Sequence, residues 1–412
     1  MSLPSPTFIF TIPSVHDDTI LNCRLYVPRK NLVLHDIQPP RAAIIAHPYA
    51  PLGGCYDDPI VESVGFVLWR AGYLIGTFNF RGASGVAGHT SWSAKPELGD
   101  FVSMYGFMIN YLNCLILGRG RYQRNTNQQL SSIPSAIEGE ELPIKPHLSP
   151  RLLLAGYSYG SIITSHLPDV EYVAKLFKNA VSGSAESEIQ LRASNLSSQT
   201  LKDLETRQKH NRAKTSRRTP TTQANPGSLQ SSSSVLVGGF ESEAAEERID
   251  RESRRSLDLR KSLDRVREKI HVRPHRVPDS SDTSDEDTRV NCNLDVIVPE
   301  ICYLLISPVL PPVARFATFF SSLSFIRRQP GEHISNHDVS NLLVRYPSLT
   351  VYGNKDFFTS AKKLRRWTQD LSDKPGSAFE YREVEGAGHF WREKGVLEQM
   401  LNHIMDWESS LP

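Results

Sequence analysis

Short apolar runs separated by turn residues alternate with longer amphipathic segments along most of the chain. The first two runs lie between Phe8 and Val27 and are separated by turn residues such as Asp17 and Asp18, which predicts an antiparallel hairpin. The later predicted strands are Ala42–Ile45, Tyr73–Phe80, Arg151–Ala155, Ile301–Ser307, Ser348–Tyr352 and Ala378–Val384. Helical spacing lies between them, at Val61–Ala71, Phe101–Leu117, Gly160–His166, Ser360–Leu371 and Gly395–Trp407. Strands that alternate with helices predict an α/β fold with a mostly parallel, doubly wound sheet.

Two polar stretches interrupt this alternation. Residues 118–150 are rich in Gln, Asn, Ser and Pro and are too long for an ordinary connector. From residue 184 to 298 the apolar periodicity gives way to Ser runs, basic pairs and an acidic patch, a composition typical of disordered chain. We therefore predict a fold-forming first part, 1–183, which contains the polar insertion 118–150, then a mostly disordered insertion, 184–298, and a fold-forming second part, 299–412.

The position of these insertions in the predicted topology bears on what they do. Each connects a helix to the strand that follows it, and such connections lie at the edge of the sheet opposite the strands' carboxyl ends. We therefore expect neither insertion to cover a site at the carboxyl edge. Ser256 and Ser262 follow basic pairs, a pattern that fits a kinase site or a docking segment for a protein partner, with a plain solvated linker as the alternative.

Composition narrows the class of protein. A net charge of +2 with 39% hydrophobic residues is ordinary for a soluble protein, and the absence of a general basic surface gives no indication of nucleic-acid binding. The five cysteines are scattered, without a CxxC pair or a His cluster, so we expect reduced thiols and neither a metal nor another cofactor. Because the N-terminus lacks a signal-peptide pattern and no apolar run reaches about 20 residues, we expect a cytoplasmic protein without a membrane span.

The segment Gly156–Gly160 reads Gly-Tyr-Ser-Tyr-Gly and lies between a predicted buried strand and a predicted helix. A turn this sharp needs glycine on both sides, and it presents the central serine at the helix N-terminus, where backbone N–H groups favour developing negative charge. Ser158 is therefore the candidate nucleophile. The alternative is a Gly-rich turn in which the serine only caps the helix.

A serine nucleophile needs a base and an acid, and these come from loops after later strands. Asp356 follows the strand Ser348–Tyr352, and His389 follows the strand Ala378–Val384. We assign His389 as the general base and Asp356 as the group that orients it. Alternatively, Asp356 forms a turn or caps a helix, His389 is a loop histidine, and Asp338 is a weaker rival for the acid because it precedes its strand.

Acyl transfer also needs two N–H donors for the oxyanion of the tetrahedral intermediate. The amide after the nucleophile, that of Tyr159, supplies one. The segment His47–Gly54 follows the strand Ala42–Ile45, and its prolines and glycine pair suit a rigid loop, so we assign the second donor to the amide of Tyr49. The alternative is a Pro/Gly turn without a ligand.

Four stretches together resemble a known family. They are His47–Gly54, Phe78–Gly82 (Phe-Asn-Phe-Arg-Gly), Gly156–Gly160 and Gly386–Phe390, and they resemble the serine α/β-hydrolases with a His-Pro-x-Pro-x-x-Gly-Gly loop. Pro51 lies one place later than the second proline of that loop. The resemblance covers roughly residues 8–182 and 299–410, and implies the α/β-hydrolase fold and an esterase-like mechanism with an open substrate. For Arg81 two roles remain, an anion-binding group for substrate or a structural arginine.

An apolar segment follows the strand Ile301–Ser307 at the catalytic edge. Its phenylalanines include Phe316 and Phe320, which we assign to an acyl-binding cap, with an amphipathic helix packed on the sheet as the alternative. A pocket of this kind predicts a preference for medium-chain acyl esters over acetyl esters.

These assignments predict a metal-free serine hydrolase that cleaves a carboxylic ester or thioester. The rival interpretations are a peptidase of related fold and a catalytically idle scaffold that acts through its disordered insertion.

Overall fold

The computed structural model describes residues 1–28, 39–91, 93–130, 149–216, 297–310 and 339–411. Eight strands form one sheet: β1 (Phe8–Pro13), β2 (Ile20–Tyr26), β3 (Arg41–Ala46), β4 (Leu74–Phe78), β5 (Arg151–Tyr157), β6 (Glu300–Ile306), β7 (Ser348–Gly353) and β8 (Phe379–Val384). The helices are α1 (Pro59–Arg70), α2 (Lys95–Leu130), α3 (Tyr159–Ser165), α4 (Val170–Lys178), α5 (Ala185–Ser216), α6 (Val339–Arg345), α7 (Ala361–Ser372) and α8 (Val396–Ser410). A single 3₁₀ turn, Ala50–Leu52, follows β3.

The sheet order is β1-β2-β4-β3-β5-β6-β7-β8. Only the leading hairpin is antiparallel, with β1 paired to β2 and β2 to β4, and every pair from β4 to β8 is parallel. Chain winding proceeds in opposite directions from β3, because β4 lies on one side of it and β5 on the other. This confirms the predicted α/β-hydrolase fold and places a switch point, where open α/β sheets bind ligands, between β3 and β5.

Two hydrophobic cores lie on the two faces of the sheet. In β3 the side chains alternate between them, with Ala42 and Ile44 in one core and Ala43 and Ile45 in the other. The first core receives the long helices α2 and α5, and the second receives α1 and α8. Because both faces are covered, the central parallel strands are buried along almost their whole length, as their continuous apolar sequences predict.

Helices of the structure extend into both predicted insertions. α2 continues past Leu117 to Leu130, into the predicted polar insertion, and α5 occupies Ala185–Ser216, at the start of the segment predicted to be disordered. Along α5 a narrow apolar stripe is buried, formed by Ile189, Ala193, Leu196 and Leu204. The rest of the helix surface is polar, which is why the sequence pattern concealed it. The remaining parts of both insertions, 131–148 and 217–296, lie outside the described residues.

Close packing of α5 on α2 depends on side-chain fit. A Cβ atom on Gly118 of α2 would lie 2.2 Å from a methyl group of Leu201, so a larger residue at this position would require the Leu201 side chain to move. The buried Tyr111 hydroxyl lies 2.7 Å from the hydroxyl of Thr200 and joins the two helices by a hydrogen bond. The helix that the sequence pattern did not predict is therefore a packed part of the first core.

The segment Lys95–Gly120 of α2 corrects a second expectation. It is long enough and apolar enough to cross a membrane, with a mean hydropathy of 1.4, whereas the sequence analysis found no such run. Within the protein, 72% of its apolar 18-residue window is buried. A buried core helix of a soluble protein can be as long and as apolar as a membrane span. Its apolar surface is accounted for by packing against the sheet and α5.

Candidate active site

Ser158 lies in the turn that joins β5 to α3. Its φ of 56° and ψ of −115° are unusual for a residue with a side chain. The flanking glycines allow this conformation, because a Cβ on Gly156 would lie 2.3 Å from the carbonyl oxygen of Gly160, and one on Gly160 would lie 2.5 Å from that of Ala46. The α3 N-terminus therefore sits directly against the carboxyl end of β3, and the Ser158 side chain is held at the switch point of the sheet.

The three side chains predicted as nucleophile, base and acid lie in one hydrogen-bonded chain. His389 Nε2 is 2.8 Å from Ser158 Oγ, and His389 Nδ1 is 2.6 Å from Asp356 Oδ2. All three residues are buried, with 8%, 1% and 6% of Ser158, His389 and Asp356 exposed. Residues separated by 231 and 33 positions are thus brought together with the polarity that nucleophilic catalysis by serine requires.

Asp356 makes the contacts expected for both interpretations considered for it in the sequence. Its Oδ1 atom accepts hydrogen bonds from the amides of Phe358 at 2.8 Å and Thr359 at 3.2 Å, which is a local turn. Its Oδ2 atom is left for His389. The local turn fixes the carboxylate rotamer, and the carboxylate in turn fixes the imidazole. Asp338, the rival for the acid, lies outside the described residues.

The loops after β7 and β8 are joined by backbone contacts. The Asn354 side-chain oxygen accepts a hydrogen bond from the amide of Gly386 at 2.8 Å, and the Lys355 amide donates to the carbonyl oxygen of Ala387 at 2.9 Å. At Gly353 an added Cβ would lie 2.1 Å from the same carbonyl oxygen. Because the two loops are held this closely, Asp356 and His389 keep a fixed separation.

A further group of residues holds the backbone of His389. The Tyr157 hydroxyl donates to the His389 carbonyl oxygen at 3.0 Å, and its ring stacks on the imidazole with centroids 5.7 Å apart. The indole N–H of Trp391 donates to Ser307 Oγ at 3.0 Å, beside the same carbonyl oxygen. Ser307, directly after β6, and Trp391, in the segment after β8, have φ values of 46° and 55° and so join Ser158 in the left-handed region.

Replacement of Tyr157 by phenylalanine tests this positioning role. Burial raises the pKa of Tyr157, so the hydroxyl stays a donor throughout the working range of pH. Loss of one neutral hydrogen bond behind His389 is expected to lower kcat for ester hydrolysis roughly three- to tenfold, with KM nearly unchanged. The matched control is Tyr303→Phe, because the Tyr303 hydroxyl is buried without a partner among the described residues. Equal kcat values for the two variants would contradict the role.

The two amides predicted to bind an oxyanion lie at the facing ends of β3 and β5. Tyr159 is the first residue of α3, where amides have no partner within the helix, and Tyr49 precedes the 3₁₀ turn after β3. Their rings meet edge to face with centroids 5.3 Å apart. Within the described loops and turns, neither amide donates a hydrogen bond to another backbone group. Both are thus placed at the switch point on the two segments that flank it.

His47 connects the Tyr49 loop to the strand end at Phe80. Its Nδ1 atom lies 2.6 Å from the Pro48 carbonyl oxygen, which only accepts, so this nitrogen carries the proton. Its Nε2 atom accepts from the amide of Phe80 at 2.9 Å. Burial lowers the pKa of His47 to about 4, and the ring is therefore neutral near pH 7. The sequence analysis assigned His47 only to the start of a loop, because this contact spans 33 positions.

Arg81 makes ion pairs within the protein. Its guanidinium binds both carboxylate oxygens of Asp100, at 2.6 and 3.0 Å, and both of Asp17, at 2.7 and 3.1 Å. Asp100 is fully buried and also accepts from the Arg81 amide at 3.1 Å. These contacts tie the turn after β1 to α2. With two carboxylates already bound, the geometry favours the structural role over the binding of a substrate anion.

Three phenylalanines surround the His389 ring and were not singled out in the sequence. Ring centroids lie 4.5 Å away for Phe358, 5.4 Å for Phe390 and 6.1 Å for Phe357. Each lies one or two positions after a triad residue in the sequence, and this proximity is the sequence signal that indicates them. Phe316 and Phe320, the residues that the sequence analysis assigned to acyl binding, lie outside the described residues.

The described part of the chain holds no group of three or more His, Cys, Asp or Glu side chains placed to bind a metal ion. Four of the five cysteines lie in the described part, and of these Cys23, Cys55 and Cys302 are free thiols.

No protein-family model and no curated protein matches the sequence. Solved structures do resemble it. An α/β serine hydrolase without a lid from Xanthomonas campestris is 13% identical, with a TM-score of 0.42 and coverage of 100% of this chain and 98% of that one. An α/β serine hydrolase homologue from Coxiella burnetii is 12% identical (TM-score 0.39, 98% and 99% covered), and an esterase from Pyrococcus furiosus is 11% identical (TM-score 0.39, 98% and 89% covered).

Proposed function

We propose that this chain is a serine hydrolase that cleaves a carboxylic ester or thioester through an acyl-enzyme. The observation that supports the proposal most strongly is the buried hydrogen-bonded chain Ser158–His389–Asp356 at the carboxyl edge of the sheet. In this assignment Ser158 is the nucleophile, His389 the general base and acid, and Asp356 the group that fixes the imidazole.

The hydrogen-bond partners define the protonation pattern that starts the reaction. A carboxylate only accepts, so His389 Nδ1 donates to Asp356 and His389 Nε2 is left with a free lone pair towards Ser158 Oγ. As Ser158 Oγ attacks the carbonyl carbon, its proton passes to Nε2. Asp356 then stabilises the imidazolium that results.

Collapse of the tetrahedral intermediate completes acylation. The bond between the acyl carbon and the leaving oxygen or sulfur breaks, and Nε2 returns the proton to that leaving atom. A water molecule then attacks the acyl-enzyme with the same base, which releases the acid and restores Ser158. The balance requires only the ester and water.

The charge on the carbonyl oxygen needs donors that are in place before it forms. The amides of Tyr49 and Tyr159 lie on the two segments that flank the switch point, and we assign the oxyanion to them. Each such donor typically contributes a factor of about 10²–10³ in kcat.

The strained conformation of Ser158 supports an enzyme in preference to an idle scaffold. A residue held in this backbone region reduces the stability of the fold by about 1–3 kcal/mol, and such strain persists mainly where function requires it. A scaffold that acts only through an insertion has no need of the strain or of a buried triad.

The proposal is tested by labelling with a fluorophosphonate probe, which reacts with activated serines. Wild-type protein is expected to be labelled at Ser158, as shown by peptide mapping, and Ser158→Ala to remain unlabelled. Ser161→Ala, three residues further along α3, is the control for non-specific reaction and should be labelled as the wild type is. A folded wild-type protein that is not labelled would overturn the proposal in favour of the scaffold.

A further inference from the structure

Phe357, Phe358 and Phe390 form a continuous aromatic cluster beside the catalytic imidazole, referred to below as the His389 patch. Phe357 lies 4.3 Å from Phe358 and 5.7 Å from Phe390, measured between ring centroids. The guanidinium carbon of Arg392 lies 5.1 Å from the Phe390 centroid, within the range of a cation–π contact. These contacts hold the rings of the patch against each other.

Two rings of the patch are exposed to solvent. Phe357 is 67% exposed and Phe390 is 44% exposed, and no other aromatic side chain in the described part of the chain is among its exposed large hydrophobic residues. Exposure of a phenylalanine forgoes the favourable free energy of burying its ring. An apolar surface with a defined geometry at a reactive centre is a feature of ligand sites.

The backbone of the patch is fixed to the triad itself. Phe357 and Phe358 follow Asp356, whose Oδ1 atom binds the amide of Phe358, and Phe390 follows His389. Tyr157 also contacts the imidazole but is buried, with 2% of its surface exposed, whereas Phe357 and Phe390 are exposed. A substrate that approaches His389 from solvent therefore meets the phenylalanines.

The proton transfers of the proposed reaction indicate which part of a substrate lies beside the His389 patch. His389 Nε2 must deliver a proton to the leaving atom, so the leaving group lies next to the imidazole. The carbonyl oxygen is directed instead to the amides of Tyr49 and Tyr159, on the other segments of the site. The His389 patch thus flanks the alcohol or thiol part of the substrate rather than the carbonyl oxygen.

From this placement we infer that Phe357, Phe358 and Phe390 form a subsite for the leaving group, and that the preferred substrates carry an aromatic or bulky apolar alcohol or thiol. The inference rests on the proposed function, since it assigns one half of the substrate of that same site. When an aromatic leaving group stacks on the exposed rings, it buries apolar surface that is exposed in the free protein, and this favours binding.

The test varies the alcohol while the acyl group stays constant. Methyl, cyclohexylmethyl and benzyl butyrates are suitable because their alcohols differ little in acidity, so the rates report binding rather than leaving-group reactivity. We expect kcat/KM of the wild type to increase from methyl to benzyl. In Phe357→Ala and Phe390→Ala the ratio of the benzyl to the methyl value should fall roughly three- to tenfold, the size of an aromatic contact.

The control variant is Ile9→Ala, which removes another exposed apolar side chain, 75% exposed, from the edge strand β1. Its benzyl-to-methyl ratio should match the wild type. A second series, methyl acetate to methyl hexanoate, measures acyl preference, which the patch variants should change less than the alcohol preference. An unchanged benzyl-to-methyl ratio, or a change confined to the acyl series, would overturn the subsite.

Failure of the subsite and failure of the proposed function give different results. If Ser158 is labelled by the fluorophosphonate and esters are hydrolysed, an unchanged ratio refutes the subsite alone. If Ser158 is not labelled and no ester of either series is hydrolysed, the proposed function is refuted and the subsite with it. Melting temperatures of the variants, expected to equal that of the wild type, exclude misfolding as the cause.

Discussion

Ser158→Ala is expected to lower kcat for ester hydrolysis by roughly 10⁴–10⁶-fold while the protein stays folded. The hydroxyl oxygen is the atom that bonds to the acyl group, and among the described residues its hydrogen-bond partner is His389 Nε2 at 2.8 Å. The measurement is steady-state hydrolysis of a simple ester together with a thermal melt. A Tm within a degree or two of the wild-type value would show that the variant has lost catalysis and not its fold.

His389→Ala should cause a loss of similar size, and the double variant with Ser158→Ala should lose little more, because the triad acts as a unit. Asp356→Asn is expected to retain more activity than either. Should Asp356→Asn hydrolyse the ester at the wild-type rate, the third member of the triad would be another carboxylate, and Asp338 would be replaced next.

Of the proposed substitutions, Arg81→Met should destabilise the protein most, lowering the free energy of unfolding by about 3–5 kcal/mol. The substitution keeps an unbranched side chain but leaves the buried carboxylate of Asp100 without its bidentate partner. It also removes the contacts to Asp17, so the turn after β1 loses its tie to α2. Denaturant unfolding of the wild type and the variant measures the difference directly.

The same substitution at Arg365 is the matched control. Arg365 makes a bidentate pair with Glu383, with contacts of 2.5 and 2.6 Å, but its side chain is 58% exposed. Because solvent screens such an exposed pair, Arg365→Met should change the free energy of unfolding far less than Arg81→Met does. Equal losses at the two positions would contradict the structural role of Arg81. A normally stable Arg81→Met protein with impaired hydrolysis would instead indicate an anion-binding group for substrate.

The elements that the sequence predicted well are those whose signal is local. The elbow around Ser158 is encoded within five residues, and the parallel strands are apolar runs that need no partner to be recognised. The positions of Asp356 and His389 followed from one topological rule, that functional loops leave the carboxyl ends of parallel strands. The structure brings the three side chains together as that rule requires.

The features that sequence analysis missed depend on pairs of residues far apart in the chain. α5 buries a stripe of single apolar residues spaced three to eight apart in an otherwise polar segment, and its partner α2 begins 90 positions earlier. Arg81 left two roles open because its partner Asp17 lies 64 positions away. Whether Phe390 is exposed likewise depends on which segments, distant in sequence, pack over it. The polar composition of the α5 segment therefore predicted disorder, although a narrow apolar stripe is enough to pack a helix there.

Three residues at this site have backbone in the left-handed region: Ser158 and Ser307, directly after β5 and β6, and Trp391, in the segment after β8. Each such residue reduces stability by about 1–3 kcal/mol, in a protein class whose total stability is about 5–15 kcal/mol. Glycine would relax the backbone at position 307 or 391, but it would also remove either the hydroxyl that accepts the indole N–H or the tryptophan itself, which is 3% exposed in the second core. Loss of a buried tryptophan costs about 3–5 kcal/mol, more than the strain, so the side chains that hold the His389 backbone also compensate for the conformations they require.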